Sequence, residues 1–187
     1  MSMPHAPTRW TAELVRALPD DGRRHELVAG ELLVTPSPSP VHQWLVAAIF
    51  RRLDPYLVAT GSGALLTAPA DISLGEDEIL QPDLFVLPPG QPLPPRDWAE
   101  VRRLQLAIEI VSPTTARVDR ITKRRRFQRA GVPEYWIVDP DARVIERWRP
   151  EDTRPEVLSE LLTWQPDPAH LPLEVDLPSL FRETFGD

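Results

Sequence analysis

The sequence predicts a mixed α/β protein in which helices cover a central sheet. Three observations carry that prediction. Residues 104–111, LQLAIEIV, form a nearly continuous apolar run, as in a strand buried on both faces. Residues 41–57, VHQWLVAAIFRRLDPYL, repeat apolar side chains at helical spacing, at Val46, Ile49, Phe50, Leu53 and Leu57. Around these two segments the elements follow the order helix, strand, strand, strand, helix, strand. A length of 187 residues suits one domain, so residues 1–187 are expected to fold as a single unit.

In chain order, TAELVRAL at 11–18 reads as a short helix stopped by Pro19. HELVAGELLV at 25–34 reads as a hairpin turning at Ala29-Gly30, with Val28 opposite Glu31 and Leu27 opposite Leu32. That register puts Glu26 and Glu31 on one face with Val28 and Leu33. The loop TPSPSP leads to the first long helix, which Ser39 can cap and whose first turn accepts Pro40. His42 falls in that first turn. Residues 64–74 and 80–87 read as strands separated by the acidic turn GEDE. The stretch 88–98, PPGQPLPPRDW, is too rich in proline for a ladder and is assigned to a surface loop. The strand at 104–111 is followed by a helix over 117–130, RVDRITKRRRFQRA, closed by Gly131 and Pro133. EYWIVD at 134–139 is the next strand, RVIERW at 143–148 an edge strand, and VLSELLTW at 157–164 its partner. A short strand and a short helix are expected between Leu171 and Phe185.

Composition removes several classes of function. With no cysteine there is no disulfide framework, thiolate nucleophile or zinc–thiolate site. No apolar run approaches the ~20 residues that span a bilayer, and the N-terminal MSMPHAPTRW lacks the pattern of a signal peptide, so a cytoplasmic protein is expected. The net charge of −7 opposes nucleic-acid binding through the overall field. A local exception stands at Arg120, Lys123, Arg124, Arg125, Arg126 and Arg129. Of 21 basic residues only one, Lys123, is lysine, and it lies inside this arginine run. Lysine is not interchangeable with arginine where a compact ammonium must enter a small space.

Two carboxylates occupy positions where burial is costly unless they are paired or bind a cation. Asp83 follows Pro82 at the start of DLFVL, and Glu109 interrupts LQLAIEIV near its end. Neighbouring strands can bring the two together at a sheet end, where ligand sites gather. Mg²⁺ prefers such a set, one or two carboxylates completed by water and phosphate oxygens. On the helix over 117–130, Lys123, Phe127 and Ala130 share a face, which turns Lys123 inward, and Asp119 lies one turn before it. The opposing expectation is that Lys123 runs past Phe127 to solvent.

Pro82-Asp83, Glu109-Ile110-Val111 and Lys123 together resemble the metal-dependent nuclease signature PD-(D/E)XK. The wider set HELVAGEL, SPSPVHQ, QPDLFV, AIEIVSPTT, DRITK and AGVPEYWIVDP resembles the Uma-type family of putative restriction endonucleases, formerly a domain of unknown function, from about Glu26 to Asp139. The resemblance implies a restriction-endonuclease-like αβββαβ core, here with an added N-terminal helix and hairpin. It implies a Mg²⁺-dependent endonuclease (Mn²⁺ serving in its place) acting on DNA phosphodiesters, with Asp83, Glu109 and Lys123 catalytic. Asp83, Glu109 and the main-chain carbonyl of Ile110 would hold the metal. The usual lysine position, two after the acid, is Val111, and the family's lysine in the following helix corresponds to Lys123. Glu26, Glu31 and His42 also match family positions, with Asp119 beside Lys123. Which of the two glutamates points inward is open at this stage. Arg120, Arg124 and Arg126 are the candidate contacts to a phosphate backbone. Cutting both strands of a duplex asks for two sites, hence a homodimer. The alternative is a catalytically silent nucleic-acid or partner-binding module on the same fold, which net acidity favours.

Overall fold

The computed structural model describes residues 9–75, 77–91 and 94–186. Glu76 of the acidic turn, Pro92 and Leu93 of the proline-rich loop, and residues 1–8 lie outside them. Helix α1 (Ala12–Arg16) starts where the Thr11 hydroxyl accepts from the Leu14 N–H. Strands β1 (Arg24–Val28) and β2 (Glu31–Thr35) pair antiparallel with Val28 opposite Glu31 and Leu27 opposite Leu32, the expected register. The turn requires positive φ at both central residues, and Ala29 (59°) and Gly30 (82°) supply it. Helix α2 (Pro40–Thr60) is capped by the Ser39 side chain and ended by Gly61 in the left-handed conformation. Its most buried stripe is Leu45, Ala48, Ile49, Leu53 and Leu57; Val46 and Phe50 flank it.

The main sheet runs β3 (Ala64–Thr67), β4 (Leu84–Leu87), β5 (Leu106–Ile110), β6 (Glu134–Asp139), β7 (Val144–Trp148) and β8 (Glu156–Leu158). Only β5 and β6 are parallel, and the connection between them is helical. With α2 this gives the order αβββαβ. The connecting helix has two parts: a π-helix over Val118–Lys123 that continues as α3 (Arg124–Arg129). Two expected strands are shorter than predicted. The expected strand residues 68–74 and 80–83 carry prolines at 69 and 82, and among the described residues this region makes only single bridges, Ile72 to Leu80 and Leu27 to Ile79. The stretch 157–164 is not one strand. It divides into β8 and β9 (Leu161–Trp164), and β9 pairs with β10 (Leu173–Asp176) ahead of α4 (Leu177–Phe185).

Strand alternation sorts the core into two layers. Leu84, Val86, Leu106, Ile108, Trp136 and Val138 meet α2 and α4 on one side of the sheet. Phe85, Leu87, Ala107, Tyr135 and Ile137 face the other side, where Phe127 of α3 packs among them. Asp83 and Glu109 have the parity of this second set. They therefore project toward the helix that carries Lys123. Among the described residues no helix is long and apolar enough to cross a membrane.

Candidate active site

Leu84 pairs with Ile108, so one step further along the antiparallel ladder Asp83 stands beside Glu109. Both are 3% exposed. Asp83 is held by three donors. The Arg24 Nη1 lies 2.7 Å from Oδ1, the His42 Nε2 2.9 Å from Oδ2, and the Ile110 N–H donates to Oδ2 at 2.9 Å. Burial alone would raise this carboxyl. His42, Arg24 and the Ile110 amide outweigh it and lower the pKa to about 2.

Lys123 is 4% exposed and does not run to solvent. Its ammonium is 2.8 Å from Glu109 Oε1, 2.8 Å from Glu26 Oε2 and 3.5 Å from Asp119 Oδ1. Each acid comes from a different element: strand β5, the hairpin and the π-helix. Burial opposes the charge on Lys123, but Glu109, Glu26 and Asp119 prevail and hold its pKa well above the usual range. Glu109 is pushed well above the ordinary carboxylate value by burial, against Lys123 and with Asp83, Asp119 and Glu26 adding to the rise. The site thus crowds four buried carboxylates around two permanent cations, Arg24 and Lys123.

A cleft of about 360 Å³ opens onto these groups, lined by Arg24, Glu26, His42, Asp83, Glu109, Ile110, Asp119 and Lys123. Its other wall is Ser112–Thr115 at the entry to the π-helix, with the loop of residues 35–39 opposite. Of the expected site residues, Asp83, Glu109, Lys123, Glu26, His42, Asp119 and Ile110 converge here. Glu31 does not. It shares the pleat of Glu26, but it sits at the turn end of β2, exposed and away from the cleft. The inward glutamate is Glu26, whose second oxygen accepts from the Gln81 N–H at 2.8 Å.

The three arginines assigned to a phosphate backbone are engaged within the protein. Arg120 binds Asp139 at 2.6 Å and Glu146 at 2.7 Å. Arg124 lies 4.5 Å over the Trp148 ring and bonds Gln128 at 2.6 Å. Arg126 pairs with Glu78 at 2.9 Å. The exposed arginines of the segment are Arg117, Arg125 and Arg129. Asp139, matched to the family at its strand end, fastens Arg120 and accepts from the N–H groups of Asp141 and Ala142. Arg24 went unrecognised in the sequence. The available signal was strand alternation: Arg24, Glu26 and Val28 share one face of β1.

Whether a divalent cation suits the site is decided by its donors. Asp83 and Glu109 offer hard carboxylate oxygens side by side, in a cleft where acids outnumber fixed cations. The residues fit such an ion. Among the described residues no three His, Asp or Glu side chains are grouped to hold a metal by themselves.

The fold resembles a solved structure. A crystal structure from Anabaena variabilis, described as a putative nuclease belonging to DUF820, superposes with a TM-score of 0.76 at 19% identity, over 94% of this chain and 99% of that one. No curated protein is similar enough to count as a match. The family described as Uma2, putative restriction endonuclease, matches over residues 12–181. With its core order, its paired strand-end acids and this match across nearly its whole length, the chain belongs to the Uma2 family of putative restriction endonucleases.

Proposed function

We propose that the protein is a divalent-metal-dependent endonuclease that hydrolyses DNA phosphodiester bonds. The observation that carries this reading is the convergence of Asp83, Glu109 and Lys123 at one cleft, from two neighbouring strands and a helix. Asp83 and Glu109, with the main-chain carbonyl of Ile110, would hold Mg²⁺ or Mn²⁺. That ion, when bound, supplies acidification of water and charge compensation at a phosphate.

The protein groups do the rest. Lys123 stays protonated between its three acids, so it acts as a fixed positive charge and a hydrogen-bond donor, not as a base. Its charge offsets that on the pentacovalent phosphorus across the cleft, while its N–H groups stay on the acids. Glu26 and Asp119 hold the ammonium in place from two directions, and His42 fixes the Asp83 carboxylate. In the reaction one P–O bond forms to water and one ester P–O bond breaks. The two protons of the water end on the released hydroxyl and in the phosphate monoester equilibrium. Severing both strands of a duplex requires two such sites, which a homodimer provides.

The test is plasmid nicking with Mg²⁺ or Mn²⁺, beside Asp83→Ala and Lys123→Ala. Cleavage by the wild type, lost in EDTA and in both variants while Lys123→Ala still binds DNA, supports the reading. DNA binding with no nicking at any protein concentration would instead support the silent module.

A further inference from the structure

An ion that takes Asp83 meets an obstacle. Both carboxylate oxygens already have partners: Arg24 on Oδ1, and His42 and the Ile110 N–H on Oδ2. The three donors differ in freedom. Ile110 donates from the backbone of a central strand. His42 reaches over from the first turn of α2 on a short side chain. Arg24 arrives on a long one, and it also donates to the Gln81 carbonyl at a marginal 3.4 Å. Of the three, Arg24 is the group that yields.

A second argument comes from a count of cations. Among the described residues the cleft is lined by two permanently charged side chains, Arg24 and Lys123. Lys123 is held among three carboxylates. A phosphodiester entering this acidic cleft therefore has one lining cation free to contact it directly. A guanidinium suits that partner, because its planar fork matches two phosphate oxygens at once.

We propose that Arg24 is an exchange residue: counter-ion to Asp83 in the resting protein, and ligand to the substrate phosphate once a divalent cation has taken the carboxylate. This rests on the nuclease reading above and adds to it the residue that grips the substrate. Arg24 thereby keeps Asp83 compensated while no metal is bound and makes phosphate binding dependent on the metal.

The experiment compares wild type, Arg24→Met, Arg24→Lys and Asp83→Asn in two binding assays that need no turnover. Mn²⁺ binding is followed by electron paramagnetic resonance. Binding of a fluorescent duplex is followed by anisotropy in Ca²⁺. The exchange predicts that Arg24→Met binds Mn²⁺ as tightly as wild type or several-fold tighter, since a competitor has gone. It also predicts duplex binding at least tenfold weaker, with Arg24→Lys in between. A fixed clamp on Asp83 predicts the opposite sign for the metal. Mn²⁺ binding several-fold weaker in Arg24→Met, or duplex binding unchanged, overturns the exchange and leaves the nuclease reading standing. Wild type that binds no Mn²⁺, or Asp83→Asn that binds it equally well, removes both. Should Arg24→Met fail to fold, the ¹⁵N side-chain signal of Arg24 in the wild type decides. It must move on addition of Mg²⁺ and again on addition of duplex, and a signal indifferent to Mg²⁺ overturns the exchange.

Discussion

Replacing Lys123 by methionine keeps the length of the side chain and removes its charge. The ammonium lies 2.8 Å from two carboxylates and 3.5 Å from a third, and all three acids are buried. In the wild type, four acids face two permanent cations; in Lys123→Met they face one. Breaking a buried pair from one side costs about 3–5 kcal/mol, because the remaining charge is left uncompensated. For a chain of 187 residues this corresponds to a fall in Tm on the order of 10 °C. The dependence on pH has a definite sign. The raised pKa of Lys123 keeps its contribution whole at every pH below its ordinary value near 10.5. In the variant, Glu109 and Asp119, already raised in the wild type, have lost a cation that lowered them. A raised carboxyl destabilises the folded state above its unfolded pKa, and the penalty is relieved as pH falls through the folded value. The deficit should therefore be largest at pH 7–8 and shrink toward pH 5, read by urea denaturation in EDTA. A deficit below about 1 kcal/mol, flat across that range, refutes the buried-counter-ion account of Lys123.

Other expectations follow from the same geometry. Asp83, lowered from 3.8 to about 2, contributes about 2 kcal/mol of stability that is present above pH 3.8 and drains away as pH falls through 2. The stability gap between wild type and Asp83→Asn in EDTA should narrow by that amount from pH 5 to pH 2, and a constant gap contradicts it. Glu31→Gln should leave stability and nicking within error of wild type, whereas Glu26→Gln should cost about 1–3 kcal/mol and most of the cleavage. Equal effects of the two substitutions would show that the inward glutamate has been misassigned. Arg120→Ala removes the links to Asp139 and Glu146 and should cost about 1 kcal/mol or less. It should leave the salt dependence of DNA binding unchanged; a slope shallower by about 0.9 would mark Arg120 as a phosphate contact after all.

What the sequence made legible was mostly what local periodicity and turn chemistry control. The hairpin register followed from Ala29-Gly30, the cap of α2 from Ser39, and the depth of β5 from LQLAIEIV. The strand-end positions of Asp83 and Glu109 also allowed the two acids to meet. What stayed hidden depended on where an element ends relative to a distant one. Glu26 and Glu31 share a pleat, yet only Glu26 lies under the helix, because Glu31 sits at the turn end of the hairpin. The arginine run looked like a phosphate-binding surface in one dimension. In three, Arg120, Arg124 and Arg126 meet partners on β6, β7 and the loop near residue 78, none of which the run itself announces. Residues 68–74 and 80–83 read as strand, but prolines at 69 and 82 leave them only single bridges.

The lysine itself shows why spacing is a weaker guide here than convergence. In the usual signature it would stand two residues after Glu109, where this chain has Val111, buried in the core. The ammonium arrives instead from the π-helix, whose wide turn is closed by the Arg124 N–H donating to the Asp119 carbonyl. The buried Tyr135 hydroxyl donates to that same carbonyl at 3.2 Å. Phe127, one turn beyond Lys123 and fully buried, fixes the rotation of the helix about its axis. From there one compact ammonium lies 2.8 Å from Glu109 and Glu26 and 3.5 Å from Asp119, in a closed space that suits its small head better than a larger planar guanidinium. In a sequence that uses arginine at 20 of 21 basic positions, the single lysine is the cation that enters this closed space.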